Sequence, residues 1–171
     1  IKKITKTMQM IATAKFQKSL KRAVGTKPYT RKVRELVREL AASGCDMCEL
    51  GIPYSDPIAD GPVIQASFTR ALQQHVKLDD VFRGMAEVAP TLSMPVVTMV
   101  SYSIIYRQGL ENYVARAQAA GFAGAIVPDL LVEEAEPLAA VCRQRDFSLI
   151  QLVTPTTPAD RALRIADSST G

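Results

Sequence analysis

Two carboxylates stand eleven residues apart in the stretch Glu49-Leu-Gly-Ile-Pro-Tyr-Ser-Asp-Pro-Ile-Ala-Asp-Gly-Pro62. Glu49 ends an apolar strand, and Asp60 lies in the loop that follows. Desolvation behind an apolar strand raises a carboxyl pKa, whereas a polar loop leaves it ionised, so the pair could divide acid and base work. The loop itself is stiff. Pro53, Pro57 and Pro62 fix φ and remove backbone donors, so little entropy is lost in holding Asp56 and Asp60 in place. The same residues also fit an Asx/Pro turn in which the aspartates cap loop amides and Glu49 faces water.

What must position these groups is an alternation of strands and helices. Apolar runs bounded by Gly or Pro predict strands at Cys45–Gly51, Pro95–Ser101, Ala123–Pro128 and Ser148–Val153. Between and after them, periodicity predicts helices near Val63–Gln74, Leu78–Ala89, Leu110–Ala120, Val132–Arg143 and Pro158–Ala166. Four βα units in a row imply an α/β fold with a parallel sheet buried on both faces. The strand ends carry Glu49, Ser101-Tyr102-Ser103, Pro128-Asp129 and Thr154-Pro155-Thr156-Thr157. Polar groups supplied to one end by several strands fit the active face of a barrel, although Asp129 and Thr157 also suit helix caps. No G-x-G-x-x-G follows any strand, which argues against a dinucleotide fold.

Composition narrows the class. The chain has 171 residues, 47% of them hydrophobic and 22% charged, enough for one sizeable core. No apolar run approaches the ~20 residues of a bilayer span, and no signal peptide is evident at the lysine-rich start. Cys45 and Cys48 form a C-x-x-C, but strand alternation points them to opposite faces, so buried free thiols in a reducing cytosol are expected. His75, the sole histidine, reads as a surface residue.

Residues 1–34 contain eleven Lys or Arg and no acid, whereas the remainder is net −7. Two such balances read as two different segments. Ile1, Ile4, Met8 and Ile11, then Phe16, Leu20 and Val24, form the stripe of one basic amphipathic helix over Ile1–Ala23 that would seek a coiled-coil or bundle partner. Nothing in it resembles a base-reading motif, and a nucleic-acid partner is not expected. After Gly25-Thr26-Lys27-Pro28 a second helix is predicted over Tyr29–Ser43.

From about Leu36 to the end the sequence resembles the tryptophan synthase alpha chain family. The resemblance rests on Glu49–Pro62 with Val63-Ile-Gln65, on Tyr102, on Val127-Pro-Asp-Leu130 with Glu133-Glu134, and on Pro155-Thr-Thr-Pro158. Residues 1–35 instead are similar to the amino-terminal helix of the F-type ATP synthase gamma subunit, through Ile1–Phe16 and Lys27-Pro-Tyr29. The chain therefore reads as a fragment or fusion, with a gamma-like segment at 1–35 and an incomplete alpha-type barrel at 36–171. The rival reading is a central-stalk component of an ATP synthase.

The first resemblance implies a partial (β/α)8 barrel with four of its eight strands, two open sheet edges and an uncovered interior. It implies a cytoplasmic lyase that cleaves indole-3-glycerol phosphate to indole and glyceraldehyde 3-phosphate. Glu49 would be the acid/base group and Asp60 would hold the indole N–H. Val100, Tyr102 and Asp129 would contact substrate, and Pro53 and Asp56 would meet a partner beta chain. The resemblance assigns no cofactor to this chain, the pyridoxal phosphate belonging to the beta chain. Lacking the family's phosphate-holding loops, the 171 residues alone are expected to be inactive.

Overall fold

The computed structural model describes residues 28–58 and 60–170. The helix expected over Ile1–Ala23 lies outside the described residues.

Four short strands, β1 (Cys48–Gly51), β2 (Val96–Met99), β3 (Gly124–Ile126) and β4 (Ser148–Ile150), form one sheet in sequence order. Every pairing is parallel, as the βα alternation predicts. The helices are α1 (28–42), α2 (Pro62–Gln73), α3 (Leu78–Val88), α4 (Tyr102–Gln108), α5 (Leu110–Ala119), α6 (Glu136–Gln144) and α7 (Ala159–Ser168).

Register fixes the two faces. Leu50, Thr98, Ala125 and Leu149 form one row across the sheet, and all four are buried. That row faces the helices, because the buried Tyr113 hydroxyl of α5 donates to Thr98 Oγ1 at 3.0 Å. Phe82 of α3 packs its ring 5.8 Å from both Tyr113 and Phe122. Each fully buried aliphatic or aromatic side chain here contributes ~1.5–3 kcal/mol by leaving water. Glu49, Val97, Gly124 and Ser148 form the alternate row and turn to the opposite face.

The sheet edges differ from the two open edges expected. At β4 the Leu149 amide donates to Thr170 Oγ1 at 2.6 Å, and the Thr170 amide returns a bond to the Leu149 carbonyl at 2.9 Å. The outer side of β4 is therefore partly paired by the chain itself. At β1, the Cys48 and Ile52 amides bond toward β2, so the backbone groups of Glu49 and Gly51 point away from the sheet. No described strand lies beside them. Helix α1 covers the helical face near this edge through Tyr29, Val33 and Val37, and its Arg34 is ion-paired to Glu87 of α3.

Every predicted strand is present but shorter, because the ladder stops where prolines and turn residues begin. The single helix expected over Val132–Arg143 is broken into a 3-10 turn, Val132–Glu134, and α6. Pro137 has no amide to continue the first helix, and it sits comfortably in the first turn of the second. Helix α4 was not expected. Its signal is Ser101, whose hydroxyl accepts from the Ser103 amide at the amino end, with Gly109 at the other end.

An ion-pair cluster joins that 3-10 turn to α7. Arg161 donates twice to Glu133, at 2.6 and 3.1 Å, and Arg164 adds a bond at 3.0 Å. Hydrogen bonding to Arg161, then a local backbone bond and the two guanidinium charges, hold the Glu133 carboxyl down from its ordinary 4.5 to about 2. A depressed folded-state pKa adds stability above the ordinary value, and that stability is lost as pH falls toward the folded one. Urea midpoints measured from pH 5 to 2 should therefore fall less steeply for Glu133→Gln than for the parent. The difference is expected to be small because the pair is solvent-exposed.

Candidate active site

The loop after β1 delivers its acids next to α2, whose start is set by Gly61 as cap and Pro62 as first helical residue. Within the loop, the Asp60 amide donates to the Pro57 carbonyl at 3.1 Å, closing a turn over 57–60. Gln65, from the second turn of α2, donates its side-chain amide to the carbonyls of Pro57 and Asp60. The loop backbone is thus held from the helix at Pro57 and Asp60, and Asp60 itself borders a cleft.

That cleft lies open to water at the carboxyl ends of β1 and β2, its roughly 360 Å³ including part of the solvent in front of it. Asp56, Asp60, Phe68, Met99, Val100 and Asp129 are among its lining residues. Apolar and aromatic side chains with carboxylates among them suit a flat apolar ring carrying an N–H donor. Gly51 leaves room for the Phe68 ring, since a Cβ there would meet it at 3.0 Å.

Asp129 joins two strand ends. Its Oδ2 accepts from Ser101 Oγ at 2.7 Å, and its Oδ1 accepts from the Tyr102 amide at 2.8 Å. It therefore caps α4, across the sheet, rather than the helix that follows it in sequence. Thr157, expected as the cap of α7, instead accepts from the Thr154 amide at 3.0 Å, and Pro158 occupies the cap position. Tyr102 lies in the first turn of α4 with its ring 6.2 Å from Tyr106 and does not border the cleft. Pro53 is half-buried; Asp56 is exposed and accepts from Ser55 Oγ at 3.1 Å.

Glu49 is exposed, contrary to the desolvation expected of a residue in an apolar strand. The reason is its place on a strand that has no described strand on its outer side. It borders a groove of about 1210 Å³ running along β1 between α1 and α2, where Leu36, Leu40 and Ile64 also stand exposed. Phe68 and Met99 border both hollows, so Glu49 and Asp60 occupy adjoining spaces rather than one.

The cysteines are free, as expected, but Cys45 and Cys48 are half-buried rather than buried. Burial, with the neighbouring Cys45 and Glu49 adding to it, raises the Cys48 thiol, and burial pushes that of Cys142 up to about 11. Both thiols stay protonated and unreactive at neutral pH. Among the described residues no three His, Cys, Asp or Glu side chains converge as metal ligands do, and no helix is long and apolar enough to cross a membrane. His75 is exposed at the end of α2.

Parallel strands in sequence order, helices against one face, and polar loops gathered at the carboxyl ends define a protein of the (β/α)-barrel type. Comparison with known proteins is specific. A sequence model of the tryptophan synthase alpha chain matches residues 23–171, and the chain belongs to that family. The tryptophan synthase alpha chain of Rhodopirellula baltica is 60% identical over 132 residues, which are 75% of this chain and 48% of that protein. The Synechocystis alpha chain is 46% identical over 144 residues, covering 84% of this chain and 54% of its own length. The tryptophan synthase A-subunit of Pyrococcus furiosus superposes with a TM-score of 0.78 at 38% identity, over 82% of this chain and 57% of that one. A chain of the tryptophan synthase a2b2 complex from the same organism gives 0.80 at 37% identity, over 83% and 60%. The chain spans about half the length of the relatives it matches.

Proposed function

We propose that the protein carrying this chain cleaves indole-3-glycerol phosphate to indole and glyceraldehyde 3-phosphate. The observation that carries the reading is the family match from residue 23 onward, within which Glu49 of β1 and Asp60 of the following loop border adjoining hollows that share Phe68 and Met99. In the reaction the indole ring carbon gains a proton, the carbon–carbon bond to the glycerol side chain breaks, and the neighbouring hydroxyl gives up its proton to become the aldehyde. Glu49 is the acid/base group at the ring carbon. Asp60 accepts the ring N–H and stabilises the positive charge that develops on the ring. A substrate ring lying against Phe68 and Met99, which border both hollows, would displace water from the space beside Glu49.

Val100 and Asp129 border the ring space, and Tyr102, whose side chain stands outside the cleft, bears on the substrate through its amide, which Asp129 holds at the start of α4. Pro53 and Asp56 are the contact for a tryptophan synthase beta chain, a partner suggested by relatives solved as a2b2 complexes. This chain works without a cofactor in that reading, and pyridoxal phosphate belongs to the beta chain. The cytoplasm is the matching compartment, supported by three free thiols. Of the segment expected to be gamma-subunit-like, residues 23–35 fall within the alpha-chain match, and a gamma-like helix with a coiled-coil partner is proposed for residues 1–22 alone, on the strength of their motif and charge balance.

The test is direct. Indole release from indole-3-glycerol phosphate should be measured in the intact protein, alone and with a beta chain. Indole production stimulated by the beta chain is expected; its absence in a folded protein under both conditions overturns the assignment.

A further inference from the structure

The turn that carries Asp60 is fastened to α2 by a single side chain. Gln65 Nε2 lies 2.9 Å from the Asp60 carbonyl oxygen and 3.3 Å from that of Pro57. Both partners are acceptors only, so the atom facing them must be the amide nitrogen, and both of its hydrogens are used. The two carbonyls sit at the two ends of the turn that the Asp60 amide closes onto Pro57. Gln65 therefore grips the turn at both ends at once. Pro57 and Pro62 on either side have no amide to offer in its place.

No side chain substitutes easily. Glutamate would set oxygens against oxygens, leucine would offer nothing, and lysine would bring a mobile point charge on a longer stem. The bonds are exposed and neutral, so they add little to global stability. Position is another matter, because a displacement near 1 Å of a group aimed at a reacting molecule costs about a hundredfold in rate.

We infer that Gln65 is the positioning residue of Asp60: by holding the Pro57 and Asp60 carbonyls it keeps Asp60 at the border of the cleft. The inference rests on the lyase reading for what Asp60 does, but the clamp itself is a separate, physical statement. Two measurements on the intact protein keep the two apart. Amide hydrogen exchange, followed by NMR, should be about tenfold faster at Asp60 in Gln65→Leu, with the amides of Val97 and Ala125 in the sheet unchanged. Gln65→Glu should show the same change in the same place. In the lyase assay Gln65→Leu should lower kcat between about tenfold and a hundredfold, yet have no further effect when added to Asp60→Asn. Unchanged exchange at Asp60 overturns the clamp. Equal fold-losses in the parent and Asp60→Asn backgrounds overturn the positioning role, since Gln65 would then act independently of Asp60. A parent without lyase activity refutes the function, and the exchange result alone then decides the clamp.

Discussion

Glu49→Gln is expected to lower the turnover of indole-3-glycerol phosphate by about 10²–10⁴-fold while leaving substrate affinity within a few-fold. The amide keeps the shape and polarity of the carboxyl group but cannot transfer the proton that the ring carbon needs. The loss then falls on kcat and leaves KM nearly unchanged. Because Glu49 faces open solvent on the edge of β1, the substitution removes no buried contact. A variant that loses activity through unfolding would show itself in a changed urea midpoint, and none is expected. Retention of turnover by Glu49→Gln would remove Glu49 from the chemistry.

The largest effect on stability is expected from the sheet, at Gly124. A Cβ at this position would stand 2.5 Å from the Ser148 carbonyl oxygen and 2.8 Å from the Ser148 Cβ. Both belong to the neighbouring strand, and a backbone oxygen cannot swing aside as a side-chain tip can. Gly124→Ala must push β3 from β4, with an expected loss of about 3 kcal/mol, the upper end for overpacking. The displacement would propagate to Asp129, five residues on, and loosen its hold on Ser101 and Tyr102. Urea denaturation measures the first consequence, and a reduced kcat in the folded variant measures the second. A stability change below about 0.5 kcal/mol, the range of ordinary surface substitutions, would mean that the strands have slack at this point.

The alternation of strand and helix was legible in the sequence because it rests on strong local patterns. The runs at Val96 to Val100 and Ala123 to Val127 are apolar, short and bracketed by Gly or Pro, and helical periodicity between them leaves few assignments open. Helix α4 escaped because its seven residues carry no long periodic stripe; only Ser101 and Gly109 announced it. The break before α6 was written in Pro137, but the acidic pair before it continued the helical pattern across the break. The candidate site was legible in its residue types and not in its surroundings. A strand sequence does not say which strand lies at an edge, so the desolvation expected of Glu49 depended on a neighbour that the described sheet does not place there. The tie from Asp129 to Ser101 spans 28 residues and is a property of the fold alone. The same is true of the clamp by Gln65, whose exposed position in α2 gives no hint of two carbonyls within its reach.

Sequence order and spatial order coincide throughout this sheet, β1 beside β2, β2 beside β3, β3 beside β4. During synthesis each of the described strands after β1 therefore meets, in the strand made just before it, a partner already in place. The coupling between units is correspondingly local: a disturbance at β4 reaches β1 only by passing through β3 and β2 in turn. Such an arrangement melts as a row does, from whichever end is least held. The bonds from Ser169 and Thr170 steady the β4 end, whereas among the described residues no strand steadies the margin of β1 that carries Glu49.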